Sequence, residues 1–140
     1  VDFRDPSDCA SGKRYSAAFY RLLEKHLAAG GLSVIQSTSP LYARQSFWCI
    51  VSTLESVGLV VTPYHALVPS FGEWGFVLAG HRAYKPPLAY VVDTHFLTPE
   101  TTPALFQFPK DMARVEAEVN RLNNQVLVRY FEDEWRQVIR

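Results

Sequence analysis

Apolar side chains recur along residues 13–29 three and four residues apart, which is the spacing of one face of an α-helix. The stripe consists of Tyr15, Ala18, Phe19, Leu22, Leu23, His26 and Leu27. Gly30 and Gly31 follow, and glycine readily takes the backbone conformation that ends a helix. The next segment, 32–37, is short and mostly apolar, so the pattern predicts a buried strand after the helix.

A second helix is predicted to begin at Ser39-Pro40, because serine caps free N–H groups and proline suits the first helical position. Its buried stripe is Phe47, Ile50, Val51 and Leu54. Residues 59–67 read as a strand in which Pro63 cannot donate a ladder hydrogen bond, so we expect an edge position or a bulge there.

Residues 69–73 form a short loop, and residues 74–79 read as one more strand. A connection this short joins antiparallel neighbours, so the two strands should form a hairpin. The fold class expected is therefore α/β. The order of elements is typical of the closing half of a doubly wound sheet that ends in an antiparallel hairpin.

The pattern of predicted elements becomes less regular after residue 81. An irregular segment at Lys85-Pro86-Pro87 is followed by a predicted strand at 88–96, a predicted helix at about 99–107 and an amphipathic terminal helix from Leu127. About 60 residues make only a marginal core by themselves. We therefore expect residues 81–140 to be an appendage that packs on a domain formed by residues 1–80.

Composition narrows the possible functions. Fourteen basic and fourteen acidic residues give a net charge of zero, so the chain lacks the clustered basic face of a nucleic-acid-binding protein. No apolar run reaches the roughly 20 residues of a membrane span. Cys9, Cys49 and the four histidines show no metal-ligand spacing, so we predict no metal site.

Two acids stand at the start of the chain, in the pattern Asp2-x-x-Asp5-Pro6 after an apolar residue. A strand that ends this way places both carboxylates at its carboxyl end, where open α/β sheets build their sites. Paired carboxylates can bind a cation or accept a proton, and their mutual repulsion raises one pKa. Acids at strand ends also cap helices or face water, so spacing alone leaves the choice open.

Several short motifs occur along the chain. They are Asp-x-x-Asp-Pro at 2–6, the aromatic stretch 15–20, Gly-Gly-Leu at 30–32, Gln-Ser-Thr-Ser-Pro at 36–40, Ser-Phe-Trp-Cys at 46–49, Pro-Ser-Phe-Gly-Glu-Trp-Gly-Phe at 69–76 and Glu-Val-Asn-Arg-Leu at 118–122. Together they resemble the C-terminal half of the spermidine synthase, or polyamine aminopropyltransferase, family. The similarity is closest to bacterial members that carry a multi-span membrane region before the synthase domain.

The resemblance implies a Rossmann-like fold and a role for each matching residue. Asp2 matches the family's proton-accepting aspartate, and Asp5 matches a second acid that holds the cationic substrates. Gln36 matches a polar residue that faces the amine. Phe71 lies where many members have a tyrosine that contacts the diamine, and Glu73 is an additional acid for a cation contact.

The reaction implied is transfer of an aminopropyl group from decarboxylated S-adenosylmethionine to putrescine or a related diamine, with no prosthetic group. The family's glycine-rich nucleotide loop is not among these 140 residues, so we expect the chain to be part of a longer protein and inactive alone. We also expect self-association through uncovered strand edges. The resemblance implies a cytoplasmic catalytic domain, with the parent protein attached to the inner membrane.

Two other functions remain open from the residues. A class I methyltransferase would share the Gly-Gly-strand signature and the closing hairpin, but it would use S-adenosylmethionine itself. A polyamine-binding or dimerising domain without catalysis is the other alternative, and the missing tyrosine hydroxyl at Phe71 favours it.

Overall fold

The computed structural model describes residues 1–138 and shows a three-stranded sheet with its longer helices packed on one face. The strands are β1 (Leu32–Gln36), β2 (Val60–Val68) and β3 (Gly72–Gly80), in the order β1-β3-β2. Strand β3 is antiparallel to both of its neighbours. The second strand of the predicted hairpin thus lies between β1 and β2, which run in the same direction.

Five helices accompany the sheet in residues 1–138. They are α1 (Cys9–Gly12), α2 (Ala17–His26), α3 (Arg44–Glu55), α4 (Thr102–Leu105) and α5 (Val126–Val138), with a 3₁₀ turn at Lys13–Tyr15. Helix α3 connects β1 to β2. No helix among residues 1–138 is long and apolar enough to cross a membrane.

One face of the sheet carries the hydrophobic core. Ile35 and Val77 are paired in register and fully buried, and they cluster with Phe47 and Leu54 of α3 and Leu127 of α5. Burying such side chains contributes about 1.5–3 kcal/mol each. The core therefore fixes the sheet, α3 and α5 as one unit.

The C-terminal segment covers part of the opposite face. Tyr64 and Phe76 are opposite each other on β2 and β3 and stack with ring centroids 5.2 Å apart, and Phe106 packs on Tyr64 at 5.7 Å. Within residues 1–138, β2 lies at the edge of the sheet, as predicted from Pro63.

Two helices differ in extent from the sequence prediction. The helix predicted over 13–29 is interrupted at Ser16, whose extended backbone caps α2 through its hydroxyl. The helix expected from Ser39 begins at Arg44, although the Ser39 hydroxyl still accepts from the N–H groups of Leu41 and Tyr42, each at 3.3 Å.

The region after the hairpin differs more. The strand predicted at 88–96 was wrong, because this segment is a series of bends, and the helix predicted at 99–107 is only α4. The apolar side chains of that segment are not buried, since Leu88, Val91 and Val92 are all exposed. It therefore has no packed face to hold it as a strand.

Candidate active site

Val1 and β1 pair as parallel neighbours. The amino nitrogen of Val1 donates to the carbonyl oxygen of Val34 at 2.7 Å, and the N–H of Gln36 donates to the carbonyl oxygen of Val1 at 3.1 Å. This pattern sets Val1 beside Ile35. Asp2 and Gln36 therefore leave the sheet side by side, at the carboxyl end of β1.

The loop from Asp2 to Asp5 is held by Tyr15. Its buried hydroxyl lies 3.2 Å from the carbonyl oxygens of both Phe3 and Arg4 and donates to them. The Phe3 ring meets the Tyr15 ring edge-on at 6.1 Å. The backbone between the two acids is thus fixed at its middle.

The two carboxylates differ in environment. Asp2 is exposed, whereas Asp5 is half-buried, and burial raises the pKa of Asp5 to about 6. Burial also raises the pKa of Tyr15, and the negative charges of Asp5 and Asp2 raise that pKa further. Both carboxylates therefore lie within electrostatic range of one hydroxyl.

Gln36 is half-buried, and the loop after it is joined to β3. The N–H of Ser37 donates to the carbonyl of Gly75 at 2.9 Å, and the N–H of Gly75 donates to the carbonyl of Thr38 at 2.7 Å. A Cβ atom at Gly75 would stand 2.5 Å from the Phe47 ring, so glycine permits this close approach. The end of β1 is rigidly placed.

Phe71 and Glu73 lie on the β2–β3 hairpin. Phe71 is 63% exposed and rests on Trp74, with ring centroids 5.4 Å apart. Glu73 belongs to β3, and its Oε1 atom pairs with Nδ1 of His65. Its main-chain oxygen accepts from the Ser39 hydroxyl at 2.6 Å.

The structure brings Asp2 and Gln36 side by side at the carboxyl end of β1, and Asp5 lies on the same loop as Asp2, within electrostatic range of the same Tyr15 hydroxyl. Phe71 and Glu73 of the hairpin lie further along the strand direction, beyond the carboxyl end of β1. Gln36 pairs with Phe76, so Glu73 is three residues beyond it, about 10 Å along the strand direction, and its side chain points to the opposite face of the sheet.

Two residues that hold this end of the sheet in place, Tyr15 and His65, were not predicted from the sequence. Tyr15 stands in the predicted apolar stripe and in the aromatic stretch 15–20, and its hydroxyl is the signal of a polar contact inside the core. His65 gave no local signal, because its partners are eight and 42 residues away.

Among residues 1–138, no group of three or more His, Cys, Asp or Glu side chains is arranged to hold a metal ion. Cys9 and Cys49 are both free thiols. Burial raises the pKa of Cys49 to about 12, so this thiol stays protonated at neutral pH.

Known proteins with similar sequences belong to one family of enzymes. The family model described as the spermine/spermidine synthase domain matches residues 1–86. Polyamine aminopropyltransferase 2 of Ralstonia nicotianae is 56% identical across 100% of this chain and 28% of the relative. The polyamine aminopropyltransferase of Leptospira interrogans is 46% identical across 99% of this chain and 28% of the relative.

A more distant relative is polyamine aminopropyltransferase 1 of Streptomyces coelicolor, which is 38% identical across 97% of this chain and 26% of the relative. The chain spans little more than a quarter of the length of these relatives. The α/β architecture with its closing antiparallel hairpin agrees with the Rossmann-like fold expected. The chain belongs to the spermine/spermidine synthase family.

Proposed function

We propose that this chain is the C-terminal part of the catalytic domain of a polyamine aminopropyltransferase. Residues 1–80 would contribute the substrate-binding residues at the carboxyl end of β1. Residues 81–140 would pack on them as an appendage. Residues 139–140 lie outside the described residues. The observation that supports this most is the position of Asp2 beside Gln36 at the carboxyl end of β1, with Asp5 on the loop that Tyr15 holds. The relatives' names point to the same activity.

The reaction needs a nucleophile and a leaving group. An amine nitrogen of the diamine, putrescine in our proposal, attacks the carbon next to the sulfonium sulfur of decarboxylated S-adenosylmethionine. A C–N bond forms, the C–S bond breaks and its electron pair stays on sulfur. The products are spermidine, methylthioadenosine and one proton.

Asp2 would accept that proton. A primary amine is protonated at pH 7, with a pKa near the 10.4 of lysine, so freeing its lone pair costs about 5 kcal/mol. A carboxylate beside the attacking nitrogen removes the proton as the bond forms. Asp2 suits this role because its side chain is exposed at the carboxyl end of β1 and its loop is held by the Tyr15 hydroxyl.

Asp5 and Gln36 would position the substrates. Burial disfavours the charged form of Asp5, and a bound ammonium supplies the positive charge that stabilises it. Gln36 is half-buried beside the Asp2 loop, and its side-chain oxygen can accept from an amine N–H.

The hairpin would contact the rest of the amine. Phe71 offers an exposed apolar ring to its methylene groups. Glu73 Oε1 is engaged by His65, whereas Oε2 has no hydrogen bond to any part of the described chain. This free oxygen is the basis for proposing Glu73 as an additional acid for a cation contact.

The test is a product assay on the whole protein that contains this chain. Incubation with decarboxylated S-adenosylmethionine and putrescine should give spermidine and methylthioadenosine, and Asp2→Asn should lower kcat by about 10²–10⁴-fold. S-adenosylmethionine offered in parallel tests a methyltransferase. Binding of putrescine with no product from either donor would support a domain without catalysis instead.

The isolated 140-residue chain should show no turnover, since it spans only about a quarter of its relatives. Measurable turnover by this chain alone would contradict that part of the proposal. We place the catalytic domain in the cytoplasm, with membrane attachment of the whole protein as the accompanying expectation.

We also propose that the isolated chain self-associates. Leu32 is 43% and Val34 is 39% exposed on β1, and a net charge of zero gives little repulsion between copies. Sedimentation of the isolated chain tests this, and a monomer at all concentrations would contradict it.

A further inference from the structure

Asn120 is a polar residue buried between the C-terminal segment and the start of the chain. It lies between α4 and α5, and its side chain is fully buried. Its Nδ2 atom donates to the carbonyl oxygens of Gly12 and Tyr15, each at 3.1 Å. Its Oδ1 atom accepts from the N–H of Leu127 at 3.3 Å. Both hydrogens and the oxygen of the amide are therefore engaged, and the side chain keeps one orientation.

The main chain of Asn120 adds two further hydrogen bonds. Its carbonyl oxygen accepts from the N–H of Ala17 at 2.9 Å, and its N–H donates to the hydroxyl of Thr53 on α3 at 2.9 Å. Ala17 is the first residue of α2, where an N–H group has no acceptor within the helix. Asn120 thus joins the start of α2 to α3.

These contacts hold the 3₁₀ turn Lys13–Tyr15 from both sides. They bind the residue before the turn, its last residue and the first residue of α2. Because the Tyr15 ring belongs to the last residue of the turn, its place follows from the place of the turn. At the far end of the ring, the hydroxyl donates to the two carbonyl oxygens in the middle of the Asp2–Asp5 loop. One side chain therefore connects Asn120 to that loop.

The Tyr15 hydroxyl tolerates little displacement. Both of its hydrogen bonds measure 3.2 Å, so a shift of about 0.5 Å away from the loop lengthens them beyond the range of a hydrogen bond. Without Nδ2 of Asn120, the carbonyl groups of Gly12 and Tyr15 lose a buried donor. Unpaired buried carbonyl groups are costly, which favours movement of the turn toward other donors.

We propose that Asn120 is a positioning residue for the reaction, because it holds Tyr15 where the hydroxyl orients the Asp2 loop. This inference rests on the proposed function, in which Asp2 accepts the proton. It gives a role to the motif Glu-Val-Asn-Arg-Leu at 118–122, which lies outside the residues that the family model matches. Asn120 acts through Tyr15, since its own side chain is buried among main-chain groups.

The experiment measures kcat of the whole protein per folded molecule, with the folded amount taken from circular dichroism at the assay temperature. Asn120→Leu keeps the shape of the side chain but removes both donors, and we expect kcat to fall at least tenfold because the catalytic loop is misplaced. Asn120→Asp is the second variant. It keeps the Oδ1 acceptor for Leu127 but replaces the donating nitrogen with an oxygen, so kcat should fall in the same way.

A double variant separates positioning from a general loss of stability. Tyr15→Phe removes the hydroxyl through which Asn120 acts, so Asn120→Leu combined with Tyr15→Phe should be no slower than the slower single variant. A merely structural role would give independent losses that multiply. Thr102→Val is the control, because it removes a buried hydroxyl of α4 that donates to the Thr98 carbonyl at 2.7 Å. This variant should keep the kcat of the unmodified protein.

A kcat of folded Asn120→Leu that falls less than about twofold, while the unmodified protein transfers the aminopropyl group, would overturn this inference and leave the proposed function intact. Losses that multiply in the double variant would also overturn it, because Asn120 would then act by a route other than the Tyr15 hydroxyl. Absence of aminopropyl transfer by the unmodified whole protein would overturn both the inference and the proposed function.

Discussion

The carboxylate of Glu134 accepts a hydrogen bond from the hydroxyl of Ser46 at 2.6 Å. The same carboxylate accepts from the N–H of Ser46 at 3.0 Å and from the N–H of Gln45 at 2.6 Å. Ala43 precedes α3 and has no side-chain oxygen to cap it. Glu134 of α5 therefore caps α3 from another helix. This contact joins the C-terminal helix to α3, the helix that follows β1 in the chain.

Replacing this cap should destabilise the chain. Glu134→Ala leaves two N–H groups of α3 without their acceptor, and we expect the free energy of unfolding to fall by about 2 kcal/mol. Urea unfolding followed by circular dichroism measures the change. Glu132→Ala is the matched control, because Glu132 is exposed and makes only a 3.4 Å pair with Arg136. Equal effects of the two variants would show that the cap contributes nothing.

Tyr15→Phe should separate activity from stability. The change keeps the ring but removes the hydroxyl that donates to Phe3 and Arg4, so the Asp2 loop gains freedom. We expect kcat of the whole protein to fall at least tenfold, since misplaced catalytic groups are costly, while the free energy of unfolding falls by only about 1 kcal/mol.

The control for Tyr15 is Tyr20→Phe. Tyr20 is also fully buried, but its hydroxyl has no hydrogen-bond partner within the described chain. Removing that hydroxyl should leave kcat unchanged and should not reduce stability. Similar losses of kcat in both variants would indicate a packing effect and would contradict a specific role for the Tyr15 hydroxyl.

Asp5→Asn should stabilise the fold at neutral pH. The pKa of Asp5 in the folded chain is raised to about 6 by burial, so the folded state holds the proton more tightly than the unfolded state. Its favourable contribution is complete below pH 4 and is lost as the pH rises through 6. At pH 7 we expect Asp5→Asn to gain about 1–2 kcal/mol, after allowance for solvent screening.

Urea unfolding of both proteins at several values of pH from 4 to 7 checks this sign, and a growing advantage of Asp5→Asn across that range is the expected result. Asp8 is the contrast. Hydrogen bonds from Ser11 lower the pKa of Asp8, so Asp8→Asn should bring no such gain. An advantage of Asp5→Asn that shrinks with rising pH would contradict the burial of the Asp5 carboxylate.

Gly75→Ala tests the close contact between β3 and the end of β1. An added Cβ would lie 2.5 Å from the Phe47 ring and 2.8 Å from the Thr38 carbonyl oxygen. We expect overpacking to cost about 1–3 kcal/mol. Gly30→Ala is the control, since no atom lies within 4 Å of a Cβ at that position. Thermal unfolding measures both, and a Gly75 variant as stable as the Gly30 variant would refute the contact.

Local pattern was enough to predict most of the elements around the site. Repeating apolar positions predicted α3 and the three strands, because each period requires one face to be buried. The same reasoning failed at 88–96, where strand-forming residues occur but Leu88, Val91 and Val92 remain exposed. Whether a segment packs on a partner strand is a property of the assembled sheet, and local propensity does not contain it.

The sequence by itself predicted that Gln36 ends a strand and that Asp2 and Asp5 share one loop, because strand ends are marked by local composition. Only the tertiary structure decided that Val1 pairs beside Ile35, that Tyr15 reaches the Asp2 loop and that His65 engages Glu73. These contacts join residues from eight to 33 positions apart. Their partners are selected by the packing of whole elements, which no short stretch of sequence specifies.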